Sequence, residues 1–100
     1  MDRPEEDHTV LTMADRATPN SDVVMTELEG EAVLLHLDTK HYYSLNATGL
    51  HIWKWLGPDR TLGEISERLQ GKFDVTLDKA QESVLRLVSA LQAEKLVDVG

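Results

Sequence analysis

The sequence predicts an α+β domain in which a three-stranded antiparallel sheet is followed by three helices. Three observations predict it. Between residues 23 and 45, β-branched, aromatic and other apolar residues fall in short runs broken by two compact turns. From residue 47 onward the apolar residues recur every three or four positions instead. That second half is also punctuated by helix start and stop signals. Strands grouped ahead of helices give a sheet packed on a helical layer.

The first strand is expected over 23–28. Glu29-Gly30 is a compact turn signal, and 32–37 is an apolar second strand. Asp38-Thr39-Lys40 forms the next turn, and 41–45 the third strand, rich in tyrosine. Short connections make the three an antiparallel meander. The first helix follows over 47–56. Asn46 is its cap, Gly49, Ile52, Trp53 and Leu56 share one face, and Gly57-Pro58 stops it. Thr61-Leu62-Gly63-Glu64 is a capping-box pattern that opens the second helix. Leu62, Ile65 and Leu69 are its core positions, and Gly71 is expected to end it. Phe73 and Val75 are expected to tuck into the core. The third helix spans 77–94, with Leu77, Ala80, Val84, Leu87, Val88 and Leu91 as its core stripe. Leu96, Val97 and Val99 form a short extended tail.

One hundred residues make one domain. The domain proper is expected over 22–100. Residues 1–21 carry Pro4, Pro19, acids and little apolar periodicity, and read as a loose acidic tail. There is no cysteine, which removes disulfides and thiolate metal sites and fits a reducing cytoplasm. No apolar run approaches the roughly 20 residues of a membrane helix, so no membrane partner is expected. The formal charge is −8, from ten basic and eighteen acidic residues, which argues against a nucleic-acid partner.

The stretch from Tyr42 to Leu56 reads YYSLNATGxxIWxxL. It resembles the PqqD family, whose members bind the leader of a ribosomally made peptide and present it to modifying enzymes. The resemblance covers about 22–97 and is strongest from Leu37 to Glu64, where RTLGEI follows. It implies a winged helix-turn-helix-like arrangement. It also implies a precursor leader peptide as partner and a leader peptidase or other modifying enzyme beside it. YYSLNATG looks closer to the standalone leader-binding proteins of lasso-peptide clusters. The alternative is a PQQ-pathway peptide chaperone serving a radical-SAM enzyme.

The residues offer little to an enzyme. No phosphate-binding glycine loop is present. His36 and His41 sit across a hairpin, but polar residues on half-exposed strands explain them without a metal. Neither a cofactor nor catalysis by this chain is expected. A three-stranded meander leaves open edges, and the third strand is one to which an extended peptide can add. The family resemblance points to Lys40, His41, Tyr42, Tyr43 and Ser44 for main-chain pairing. It also implies a groove between that strand and the third helix. At 100° per residue, Gln81, Leu85, Val88 and Gln92 lie together on one flank of that helix. Leu85 is apolar yet displaced from the core stripe, so this flank either faces the strand or packs on the sheet or a dimer partner.

Trp53 shares the core face of its helix, whereas Trp55 lies off it and either covers the bundle or anchors a partner. Tyr42 and Tyr43 point to opposite faces of the sheet. Asp38, Glu82 and Glu94 either meet basic leader residues or form a solvated face. Two other classes compete with the adaptor. One is a winged-helix DNA-binding regulator, although Lys79, Arg86 and Lys95 are balanced by Asp78, Glu82 and Glu94. The other is a structural domain, possible as a homodimer through an open strand edge.

Overall fold

The computed structural model describes residues 11–100. Its elements are β1 (Ala17–Pro19), β2 (Val23–Leu28), β3 (Glu31–His36), β4 (Tyr42–Leu45), α1 (Ala47–Trp55), α2 (Leu62–Phe73), α3 (Leu77–Ala93) and β5 (Val97–Val99). The expected meander is present: β2, β3 and β4 pair antiparallel in sequence order. Glu29 and Gly30 both take positive φ, 49° and 86°, as a two-residue hairpin turn with the twist of its strands requires. The three helices follow, and the architecture is the α+β one predicted.

Side-chain alternation sorts the sheet into two faces. Ala32, Leu34 and His36 point inward and are buried. Their cross-strand neighbours on β4 are Leu45 opposite Ala32 and Tyr43 opposite Leu34. The helices cover this face. Leu34, Ile65, Val84, Val88 and Leu91 are fully enclosed, and each buried Leu, Ile or Val contributes about 1.5–3 kcal/mol. Trp53 joins the core, as its helical face predicts.

The segment expected to be loose, 1–21, differs from that expectation where it is described. Residues 1–10 lie outside the described residues, but 11–21 are built into the fold. Ala17–Pro19 pairs antiparallel with Val97–Val99 and forms a second, two-stranded sheet. Ala17 is wholly buried. Upstream of β1, the carbonyls of Met13 and Asp15 accept the N–H groups of Gly63 and Leu62 at 2.9 and 2.8 Å. These donors belong to the first turn of α2 and have no partner inside the helix. The pairing joins the two ends of the chain, so no local pattern announces it.

Two helix details also differ from expectation. Helix α2 runs through Gly71, which costs a helix interior only about 1 kcal/mol against alanine. It ends at Asp74, whose φ of 55° and ψ of 48° is the left-handed conformation that aspartate tolerates better than most. Val75 and Leu77 are exposed rather than tucked in, while Phe73 packs partly against the core. The capping box at Thr61 and Glu64 forms as read, with both reciprocal bonds in place.

Candidate functional site

Strand β4 is an edge: β3 covers one side and no strand of the described residues covers the other. The ladder fixes which of its groups are free. The His36 N–H donates to the His41 carbonyl at 3.0 Å, so His41 turns its main chain toward β3. Antiparallel alternation then gives Tyr43 and Leu45 the same orientation and turns the N–H and C=O of Tyr42 and Ser44 outward. Four main-chain groups are thus available to an added strand.

A groove runs along this edge, between β4 and α3. It comprises two hollows of about 370 and 300 Å³ that share Tyr43, Asn46, Gly49 and Leu87. Ser44, Leu45 and Glu31 line the first. The second is lined from α1 by Thr48 and Ile52, and from α3 by Ser83, Arg86 and Ala90. Local structure builds it: the Asn46 side chain accepts the Gly49 N–H at 2.9 Å, which starts α1 directly at the end of β4. Gly49 faces the strand so closely that a Cβ there would lie 3.3 Å from Leu45 Cδ2. Ser83 and Ala90 are short and leave the space open. Arg86 stands at the rim, its Nη2 held by Glu82 Oε2 at 2.9 Å. One turn beyond Ala90 on α3, outside the groove lining, Glu94 Oε1 and His41 Nδ1 approach to 3.4 Å.

The strand residues singled out from sequence lie together at this edge. Tyr43 faces the groove, and Tyr42 is turned to the outer face and 73% exposed. Lys40, with φ 67°, and His41 sit at the turn that opens β4, and Ser44 lines the first hollow. The helix residues are distributed differently. Val88 is fully buried in the core and lines neither hollow. Leu85 packs partly against the core, and neither it nor Gln81 lines the groove. Gln92 lines a separate cleft with Asn20, Asp22 and His36. The flank of α3 that meets β4 is the opposite one, carrying Ser83, Arg86, Leu87 and Ala90. Leu87, assigned to the core stripe from its spacing, is half-buried and forms the groove floor. The signal for this flank was the pair of short residues one face over from Leu87, which makes no apolar stripe of its own.

The two hairpin histidines serve separate ends. His36 is buried, and its Nδ1 accepts the N–H of Asp38 at 3.1 Å, organising the turn before β4. His41 is exposed and faces Glu94. Among the described residues no group of three or more His, Cys, Asp or Glu side chains is placed to hold a metal ion, and no helix is long and apolar enough to cross a membrane. Among the described residues the Glu64 carboxyl is held below its ordinary range by the Thr61 N–H that it accepts. It lies at the α2 cap, not in the groove.

Known proteins resemble this chain in sequence and in fold. The family described as Coenzyme PQQ synthesis protein D (PqqD) matches residues 31–97, well over half of the chain. The chain belongs to the PqqD family. Two solved structures share its shape. One is TbiB1 in complex with the TbiA(beta) leader peptide, 27% identical, with a TM-score of 0.74, covering 81% of this chain and 94% of that one. The other is lasso peptide synthetase B1 complexed with the leader peptide, 18% identical, also at 0.74, covering 83% of this chain and 98% of that one; at this identity it speaks to the fold alone. No curated protein matches.

Proposed function

We propose that this PqqD-family chain binds the leader of a ribosomally made precursor peptide and presents the attached segment to a separate enzyme, in a pathway of the lasso-peptide type. The observation that carries the reading is the free edge of β4 lying along a groove floored by Leu87 and Gly49. The leader adds as a fourth strand, bonding to the main chain of Tyr42 and Ser44. Its alternate side chains drop into the two hollows beside Tyr43. Lys40 and His41 flank the entry, and Gln81, Leu85, Val88 and Gln92 lie outside the contact.

Magnitudes divide the work between main chain and pockets. Four edge bonds at a net of about 0.5–1.5 kcal/mol each give roughly 2–6 kcal/mol. Micromolar binding needs about 8 kcal/mol. The difference, together with the cost of ordering the peptide, falls to side chains buried in the hollows, and these therefore set which leader is chosen. The adaptor itself performs no bond chemistry. It raises the local concentration of the precursor at a leader peptidase or other modifying enzyme and fixes its approach. The structural relative at 27% identity is a complex with a leader peptide, which supports the reading.

The test is a titration of the protein with the leader of the precursor encoded beside its gene, followed by amide chemical shifts. Saturable binding that broadens or shifts 42–46 and residues 83–90 supports the reading. An edge already protected by a second copy, with no response to the leader, replaces it with a self-paired homodimer.

A further inference from the structure

A second cleft, between α1 and α2, takes no part in the groove. His51 and Trp55 line it from α1, Arg68 and Lys72 from α2. Its parts are held in place. The Arg68 guanidinium stacks over the Trp55 ring, 5.3 Å from its centroid. The His51 ring lies 5.7 Å from Trp55 and meets Phe73 edge-on at 5.3 Å. Arg60 Nη1 donates to the Trp55 carbonyl at 3.3 Å, fixing the end of α1.

The charge at this cleft runs against that of the chain. The protein carries −8, yet no acidic side chain among the described residues lines the cleft. Arg68 and Lys72 are four residues apart on one helix face, a like-charge arrangement that disfavours an isolated helix. Glu64, one turn before Arg68, is the residue placed to offset it. Its Oε1 is instead committed to the cap, accepting the Thr61 N–H at 2.7 Å and the Thr61 hydroxyl at 3.3 Å. Glu67 lies with Arg60 and Glu64 on the other side of Arg68. Among the described residues no carboxylate comes within 4.0 Å of Arg68 or Lys72.

Folding alone does not require a half-exposed tryptophan under a guanidinium with a second cation one turn away. That combination is the one by which interfaces anchor a carboxylate beside an apolar side chain. We propose that this cleft docks an acidic segment of a partner protein. A glutamate or aspartate of the partner takes the Arg68 fork, which stacking on Trp55 has already oriented, and Lys72 supplies a second charge. A neighbouring apolar side chain of the partner packs on Trp55. Two cations around one ring are too few for nucleic acid, whose affinity rests on neutralising many phosphates. The site is separate from the β4 groove, so it can be filled while the groove is filled, and the proposal does not rest on the leader reading.

The test uses the full chain, labelled with nitrogen-15, and an acetylated hexapeptide of glutamate and leucine. The expected result is a saturable shift of the Trp55 indole N–H and of the Arg68 and Lys72 amides at low salt, with 42–46 unmoved. The double variant Arg68→Glu, Lys72→Glu weakens this at least tenfold and gains binding to the matching lysine–leucine peptide. Both side chains are exposed, so the variant keeps the fold, with amide changes confined to the cleft. No response at Trp55, an equal response to the glutamine–leucine peptide, or the same shifts from inorganic phosphate alone overturns the proposal. So does a Trp55 shift that grows with protein concentration without peptide, which marks a second copy as the occupant.

Discussion

His41 Nδ1 and Glu94 Oε1 stand 3.4 Å apart, joining the residue before the edge strand to the C-terminal cap of α3, one turn beyond the groove residue Ala90. Both side chains are largely in solvent, so the contact contributes no more than about 1 kcal/mol to folding. Its consequence is for access. Glu94→Ala is expected to leave thermal stability nearly unchanged while altering the rate at which a leader enters and leaves. Stopped-flow binding beside a melting curve checks this.

Proline placed along β4 separates the free edge from the paired one. Ser44→Pro removes an outward N–H and leaves the ladder to β3 whole, so it is expected to lower leader affinity about tenfold with a stability change near 1 kcal/mol. Tyr43→Pro removes an N–H that faces Leu34 and is expected to destabilise the fold by roughly 1–3 kcal/mol. Calorimetric titration and denaturant unfolding of the two variants measure the contrast.

Gly49 tests the pocket floor. A Cβ there meets Leu45 Cδ2 at 3.3 Å and Asn46 Oδ1 at 3.4 Å, tight enough that both must give slightly. Alanine also gains about 1 kcal/mol of helix propensity, so Gly49→Ala is expected to be near neutral for stability. Gly49→Val projects further into both hollows and is expected to weaken leader binding more than tenfold. Equilibrium binding of the two variants checks the order.

The α2 cap makes stability depend on acid. Glu64 is held below its ordinary range by the Thr61 N–H, so the folded protein binds its proton less readily than the unfolded chain. The stabilisation is full above the unfolded carboxylate range and is lost as pH falls through the lowered folded value. Glu64→Gln keeps a hydrogen-bond acceptor without the charge. The gap in melting temperature between wild type and this variant is expected at neutral pH and is expected to close below about pH 4. Melting curves from pH 7 to 3 follow it.

Leu34 and Leu91 carry the core in common. Either leucine changed to alanine is expected to cost about 2–5 kcal/mol, because each is fully enclosed. Leu85→Ala, at a partly buried position outside the groove, is expected to cost less and to leave leader binding intact. Urea unfolding ranks the three.

Much of this architecture is legible in the sequence because it is local. Glu29-Gly30 sets one hairpin, Asn46 and Thr61 mark helix starts, and the Ala80, Val84, Val88 and Leu91 stripe fixes the buried face of α3. The β4 edge is legible too, since a meander leaves its last strand open. The strand Ala17–Pro19 was not, because its partner is at the other end of the chain and its own residues show no alternation. Nor was the groove flank of α3. A helical wheel finds the core face but is symmetric about it, and which side meets β4 depends on how the sheet lies across the bundle. Leu85 is apolar and off the stripe, yet the open side is marked by Ser83 and Ala90, whose contribution is the volume they leave empty.

A leader that adds to β4 against the Ser83–Arg86–Leu87–Ala90 flank leaves a specific mark on the amide spectrum. Shift mapping of the nitrogen-15 protein with the leader of its neighbouring precursor reads that mark directly. Large perturbations are expected at Tyr42, Ser44, Gly49 and Leu87, with new exchange protection of the Tyr42 and Ser44 amides. Perturbations centred instead on Gln81, Leu85 and Gln92, with those two amides still exchanging freely, would contradict strand addition at this groove.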